Sequence, residues 1–346
     1  MPESKIVPLN DSGICRYCTD HKKIVLKGED QLLALFNKFK NKHNKYDCLV
    51  NISGGRDSAY TLLSLAKDFK LNVLAVNYAN PFTDQQAKRN MARMVSILGV
   101  DFIQFGLAGD IHKRILKNNI LAWFGNPSPA MIPAVCIGCK IIWPEILKIA
   151  KKNDIKCIVN GGNPYEYTSF KKELLGVSPR AGLDRTYAQN IIGLGKEALK
   201  NLSYLKPQFL PATVKGYLFA NQYAPGSRLL AGDIERIDLF HFLPWREDTV
   251  INRIKKELDW DSPKDLASTW RFDCQIGHLK DYMYLKTLGF TEKTDFFSIM
   301  VREGLMSRGE ALERISRENK IHYDKIEDLF SAIGIKNIKM SGRPAI

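Results

Sequence analysis

Asp47-Cys48-Leu49-Val50-Asn51-Ile52-Ser53-Gly54-Gly55-Arg56-Asp57-Ser58 is the stretch on which the reading of this chain turns. Its first six residues are a short, nearly continuous apolar run, the pattern of a strand buried on both faces of a parallel sheet. Two glycines end the run, and a helix is expected from Ser58 to Phe69. In that order the glycines let successive backbone N–H groups point at one anion, and the helix N-terminus adds partial positive charge. Ser53 and Ser58 contribute hydroxyl donors. Asp57 is compatible with phosphates where Mg²⁺ lies between them, or where it caps the loop. The string is not a Walker loop, since no G-x-x-x-x-G-K-[ST] occurs.

Working outward, residues 71–76, 101–105 and 156–160 read as further strands, and residues 83–98 and 141–151 as helices. An amphipathic helix over 29–44 precedes them. Strand–helix repetition predicts an α/β fold, a parallel sheet of about five strands with helices on both faces. Ligands of such sheets bind beyond the carboxyl ends of the strands. That is where residues 53–58, Asn77 and Gly161-Gly162-Asn163 fall.

Three segments follow: a cysteine-pair arm over 1–28, a catalytic domain over 29–240, and a helical C-terminal region over 241–346. Residues 163–240 lack a clear period and read as a long insertion over the active site. Near the end, Ser307 and Glu310 form a capping-box pattern opening a helix over 310–317. Asp324 is expected to cap a last helix that stops at Gly334.

The 346 residues carry 45% hydrophobic and 25% charged side chains, ordinary values for a globular chain. No apolar run is long enough for a membrane span, and Met1 to Lys5 lack an apolar signal region, so a cytoplasmic protein without membrane insertion is expected. The net charge of +14 is spread in pairs such as Lys151-Lys152 and Lys255-Lys256 rather than gathered in a tail. It suits phosphate-bearing partners, small or nucleic, without choosing between them. Of the seven cysteines, Cys48 and Cys157 sit in apolar strands and read as core. Cys15/Cys18 and Cys136/Cys139 are C-x-x-C pairs, which together would make a four-cysteine zinc site.

The 53–58 string resembles the PP-loop of the N-type ATP pyrophosphatases. The resemblance implies ATP with Mg²⁺, cleaved between the α and β phosphates. Ser53, Gly54, Gly55, Arg56, Asp57 and Ser58 would hold the phosphates, with Asp57 and Ser58 as catalytic residues and Arg56 facing solvent or the leaving pyrophosphate. Asn77, Gly161, Gly162 and Asn163 would complete the nucleotide site. A carbonyl or amide oxygen then attacks the α phosphorus, and nitrogen or sulfur displaces AMP.

Residues 11–18, 161–167 and 281–312 are similar to elements of the N-acetyl sugar amidotransferases of surface-polysaccharide synthesis. Membership would imply an anionic sugar-nucleotide substrate, ammonia from a glutaminase partner, and Glu166 and Tyr167 lining the sugar site. The chain departs from that pattern in having one N-terminal cysteine pair, and Trp270-Arg271-Phe272-Asp273-Cys274 where a His-rich stretch is expected. The rival reading groups Cys136, Cys139 and Cys274 around a 4Fe–4S cluster, as in the PP-loop thiolation enzymes, which makes tRNA a further candidate partner. A nucleotide-binding module without turnover is the non-enzymatic alternative, and a homodimer is compatible with either enzyme.

Overall fold

The computed structural model describes residues 1, 6–40, 44–177, 183–336, 338 and 340, without the side chains of 183–187. The apolar run at 47–52 forms strand β1 (Cys48–Asn51). It pairs in parallel with β2 (Val73–Tyr78) on one side and β4 (Cys157–Asn160) on the other. Strand β3 (Asp101–Phe105) extends the sheet beyond β2, and β5 (Glu235–Asp238) extends it beyond β4. The order is β3-β2-β1-β4-β5, every pair parallel. Successive strands move outward on one side of β1 and then on the other, so the topological switch point opens between the carboxyl ends of β1 and β4.

Leu49, Val50, Ala75, Val76, Ile158 and Val159 expose no surface, as strands covered on both faces require. On one face Cys48, Val50 and Val159 pack with Ala59, Leu62, Met91 and Ile254. These come from the helices Arg56–Leu63, Gln85–Leu98 and Glu247–Leu258. On the other, Leu49, Leu74 and Ile158 meet Ile146, Leu147 and Ala150 of the helix Trp143–Lys152. Cys48 and Cys157 are buried in the sheet, as their apolar neighbours require.

Several expectations change in detail. The helix after the loop opens at Arg56 rather than Ser58, and beyond Leu63 it widens into a π-helical turn, Ser64–Asp68. Strand β2 continues past residue 76 to Tyr78. The helix expected over 29–44 spans Glu29–Asn37, and residues 41–43 lie outside the described residues. A helix for which the sequence pattern gave no expectation, Ile111–Gly125, follows β3. Its buried face mixes His112, Asn118 and Asn119 with Ile115, Leu116, Ile120 and Trp123, which blurs the period. The insertion holds the helix Leu183–Leu199 and strand β5, while residues 178–182 lie outside the described set. Ser307 accepts from Glu310 N at 3.1 Å, opening Arg308–Glu318. Asp324 is not an N-cap: the last helix, Tyr323–Ala332, begins before it, leaving Asp324 in the first turn.

The segment before the C-terminal helices Ile276–Leu288 and Glu292–Glu303 is tied to the turn that follows β2. An antiparallel bridge joins Cys274 to Thr83, and Gln275 N donates to Phe82 O at 2.9 Å. The N-terminal arm lies against the same region, with Ile24 N donating to Glu303 and Lys27 N to His241 O at 2.9 Å. Among the described residues no single helix is long and apolar enough to cross a membrane.

Candidate active site

The loop after β1 is held from outside as well as by its own turn. Gly54 takes φ +82°, and a Cβ there would lie 2.1 Å from Ala87 O, so glycine alone allows the approach to the helix Gln85–Leu98. Its carbonyl turns inward and accepts from Asn90 Nδ2 at 3.1 Å and Trp260 Nε1 at 3.0 Å. Ser53 and Ser58 hydroxyls lie 3.3 Å apart, and Ser58 Oγ donates to Gly55 O at 3.0 Å. Ala59 N bonds back to Gly55 O at 3.1 Å, which makes Arg56, Asp57 and Ser58 the first turn, whose N–H groups have no intrahelical acceptor. This end of an eight-residue helix is an electropositive cradle at the switch point.

Arg56 corrects an expectation. It does not face solvent: it is 3% exposed. Its guanidinium pairs with Glu247 at 2.5 Å, Glu166 at 3.0 Å and Asp57 at 3.3 Å, and lies over the Trp245 and Phe296 rings. Glu166 also meets Arg271 Nε at 3.3 Å, so its carboxylate is taken up in ion pairs rather than free for a sugar. Tyr167, by contrast, is 60% exposed and stands edge-on to His241. Burial, which would raise the Glu247 carboxyl, is outweighed by Arg56 and Arg314, which hold it below its usual range.

Asp57 points into this network too. Its carboxylate accepts from Trp245 Nε1 at 3.0 Å and lies beside Asn163, and burial lifts it to about 6 against the pull of Arg56. Asn163 Oδ1 accepts from Tyr165 N at 3.0 Å. Asn77 spends both ends of its amide on the sheet, donating to Ile52 O at 2.8 Å and accepting from Gln104 Nε2 at 2.9 Å. Gly161 and Gly162 follow β4 directly across the switch point from the loop.

A cavity of about 610 Å³ opens at Asp273, the side chain that adjoins the loop at Gly55. Asp273 stands at the loop end, within hydrogen-bonding influence of Ser53, and Cys136, Cys139 and Cys274 line the wall. Lys140, Arg271, Lys280, Lys293, Arg317 and Lys320 also line it, interleaved with the acids Asp265, Asp281, Glu292 and Glu318. Glu292 at the wall is claimed by Arg271 at 2.6 Å and by Lys171. Burial presses the Lys140 ammonium down to about 8 and pushes the Cys274 thiol up to about 12. A hydrogen bond from Cys139 favours the thiolate of Cys136 despite its burial, and His112 Nε2 lies 3.2 Å from that sulfur. The imidazole is oriented by Tyr78 OH at 2.9 Å from Nδ1. It fits because residue 138 is glycine: a Cβ there would stand 2.3 Å from the ring.

The structure thus brings three of the five candidate metal cysteines to one wall. Cys15 and Cys18 stand 3.6 Å apart in the N-terminal arm and do not line the cavity, so the four-cysteine zinc grouping is not assembled. Among the described residues no three His, Cys, Asp or Glu side chains converge to hold a metal ion. Sequence reading missed His112, whose isolation in the chain gives no motif. It also missed Asp273, although the segment containing it stood out as a departure from the expected pattern.

No family model matches the chain. An uncharacterised protein of Methanocaldococcus jannaschii is 24% identical over 179 residues, 50% of this chain and 60% of the relative, so the match spans less than two thirds of that relative's length. Among solved structures, the chain is similar to an NMN synthetase from Francisella tularensis, at 12% identity and TM-score 0.39, covering 86% of this chain and 93% of that one. A second is the U34-tRNA thiolase NcsA from Methanococcus maripaludis with its 4Fe–4S cluster, at 14% identity and TM-score 0.33, covering 87% and 86%. A third is an NH3-dependent NAD synthetase from Campylobacter jejuni, at 14% identity and TM-score 0.30, covering 56% and 94%. These likenesses fix neither substrate nor reaction.

Proposed function

We propose that this chain is an ATP-dependent enzyme that adenylates a carbonyl or amide oxygen of an anionic substrate and then replaces that oxygen with nitrogen. The observation that carries the reading is a cavity lined by six cationic and five acidic side chains, which adjoins the loop through Asp273, 3.5 Å from where a Gly55 Cβ would stand. The loop binds the ATP phosphates through the first-turn amides and the Ser53 and Ser58 hydroxyls. The cavity binds the acceptor, its cations matching a phosphate- or carboxylate-bearing group. Attack by the acceptor oxygen on the α phosphorus expels pyrophosphate. Nitrogen then adds at the activated carbon and AMP leaves, a far better leaving group than oxide. Positioning and electrostatic stabilisation of the developing phosphate charge supply the rate. An N-acetyl sugar linked to a nucleotide is the acceptor this reading favours, with ammonia from a glutaminase and an acetamidino group as product.

One observation favours a second reading. Cys136, Cys139 and Cys274 line the same cavity, a thiol-rich wall suited to a bound sulfide, which would add at the activated carbon in place of ammonia as AMP leaves. No step through a zinc ion or an iron–sulfur cluster is derived, because the thiols as arranged do not converge on a metal ion.

The deciding experiment incubates the protein with ATP, Mg²⁺, a nucleotide-linked N-acetyl sugar and either ammonia or sulfide. Pyrophosphate, AMP and an acetamidino product with ammonia are the expected result. A thioamide product only with sulfide would establish the second reading. ATP binding without pyrophosphate under any condition would leave the non-catalytic binding module.

A further inference from the structure

We infer that Asp273 is the carboxylate that anchors the divalent cation of bound ATP at this loop, a step that rests on the ATP reading above. The loop motif brings its own acid, Asp57, but that side chain is directed below the loop, to Trp245 Nε1 at 3.0 Å and Arg56 Nε at 3.3 Å. Asp273 approaches from the open side. A Cβ placed on Gly55 would lie 3.5 Å from its Cγ and 3.6 Å from its Oδ2, and the Ser53 side chain is within hydrogen-bonding influence of it. A carboxylate this close to a polyphosphate repels it unless a cation stands between them, and Mg²⁺ takes one or two carboxylates together with nucleotide phosphates.

The position is rigidly set. Asp84 N donates to Asp273 O at 3.0 Å, Cys274 bridges Thr83, and Gln275 N donates to Phe82 O at 2.9 Å. The segment is therefore tied to the turn that follows β2, and its carboxylate reaches the loop without a conformational change. Asp273 also lines the cavity, so the cation it holds lies between the phosphates and the acceptor.

The test uses Mn²⁺ in place of Mg²⁺, followed by electron paramagnetic resonance, with a non-hydrolysable ATP analogue and the full chain. In the unaltered protein the analogue raises Mn²⁺ affinity. Asp273→Asn is expected to weaken Mn²⁺ binding in the ternary complex by about tenfold or more, the size of losing one charge-assisted contact. The same variant is expected to bind the metal-free analogue as tightly as the unaltered protein, or tighter, because a repelling charge has gone. A merely structural role would weaken both. Asp273→Glu, which keeps the charge, is expected to restore part of the Mn²⁺ affinity. Unchanged Mn²⁺ affinity in Asp273→Asn overturns the inference while leaving ATP binding intact. Failure of the unaltered protein to bind the analogue at all, with or without metal, removes the ATP reading and this inference together.

Discussion

Arg56 illustrates how a residue inside the 53–58 motif can be taken up by the fold. With 3% exposure it contacts Glu247, Glu166 and Asp57 at once. Arg56→Gln is expected to cost about 3 kcal/mol of stability, since Asp57 loses its only cation and Glu247 and Glu166 keep one each, Arg314 and Arg271. Urea unfolding measures it, and a loss below 1 kcal/mol would mean the network is replaceable. Asp295 gives a pH-dependent case. It is fully buried, and burial lifts its carboxyl to about 6 from an ordinary 3.8. A carboxyl raised in the folded state favours folding at low pH, and that contribution is lost as pH rises through about 6. Between pH 4.5 and 7.5, Asp295→Asn is expected to lose less stability than the unaltered chain, by about 2 kcal/mol. Parallel pH profiles for the two would refute this. At this scale the sequence was partly legible. Ser53, Gly54, Gly55 and Ser58 announce themselves by spacing, whereas the direction of Arg56 and Asp57 depends on Trp245 and Glu247, almost two hundred positions away.

Among the elements, the turn between β1 and its helix is the most constrained. Gly54→Ala forces a Cβ to within 2.1 Å of Ala87 O, and backbone cannot yield as a side chain does. Overpacking of this kind costs about 1–3 kcal/mol, and the loop is expected to move off the helix Gln85–Leu98. The measurable outcome is ATP affinity reduced by about tenfold or more in a protein that still unfolds cooperatively. Native affinity would show that the cradle tolerates the displacement. Strands β1, β2 and β4 were readable because each is an uninterrupted apolar run. Strand β5 was not, since Glu235 is exposed and Arg236 half-buried, leaving Ile237 as its one apolar residue. The helix Ile111–Gly125 was hidden for the opposite reason: polar residues occupy its buried side.

Taken whole, the molecule does not part where the sequence pattern changes. A division at 240 separates the 53–58 loop from Trp245, Glu247 and Trp260, all of which contact it or its helix. It also strips the helix Glu247–Leu258 from the sheet-covering helix Arg56–Leu63. A fragment of residues 1–240 is therefore expected to lack cooperative unfolding and ATP binding. Cooperative unfolding of that fragment with retained binding would make the C-terminal region an appendage. Composition could not reveal this dependence, because long-range ion pairs leave no periodic trace in a sequence. The two indoles at the loop have another use. Trp245 and Trp260 hydrogen-bond to Asp57 and to the Gly54 carbonyl, respectively, from separate segments. Each is thus an intrinsic fluorophore wired to one end of the same short turn. With the remaining three tryptophans replaced by phenylalanine, their emission would time nucleotide arrival in a stopped-flow trace without any attached dye.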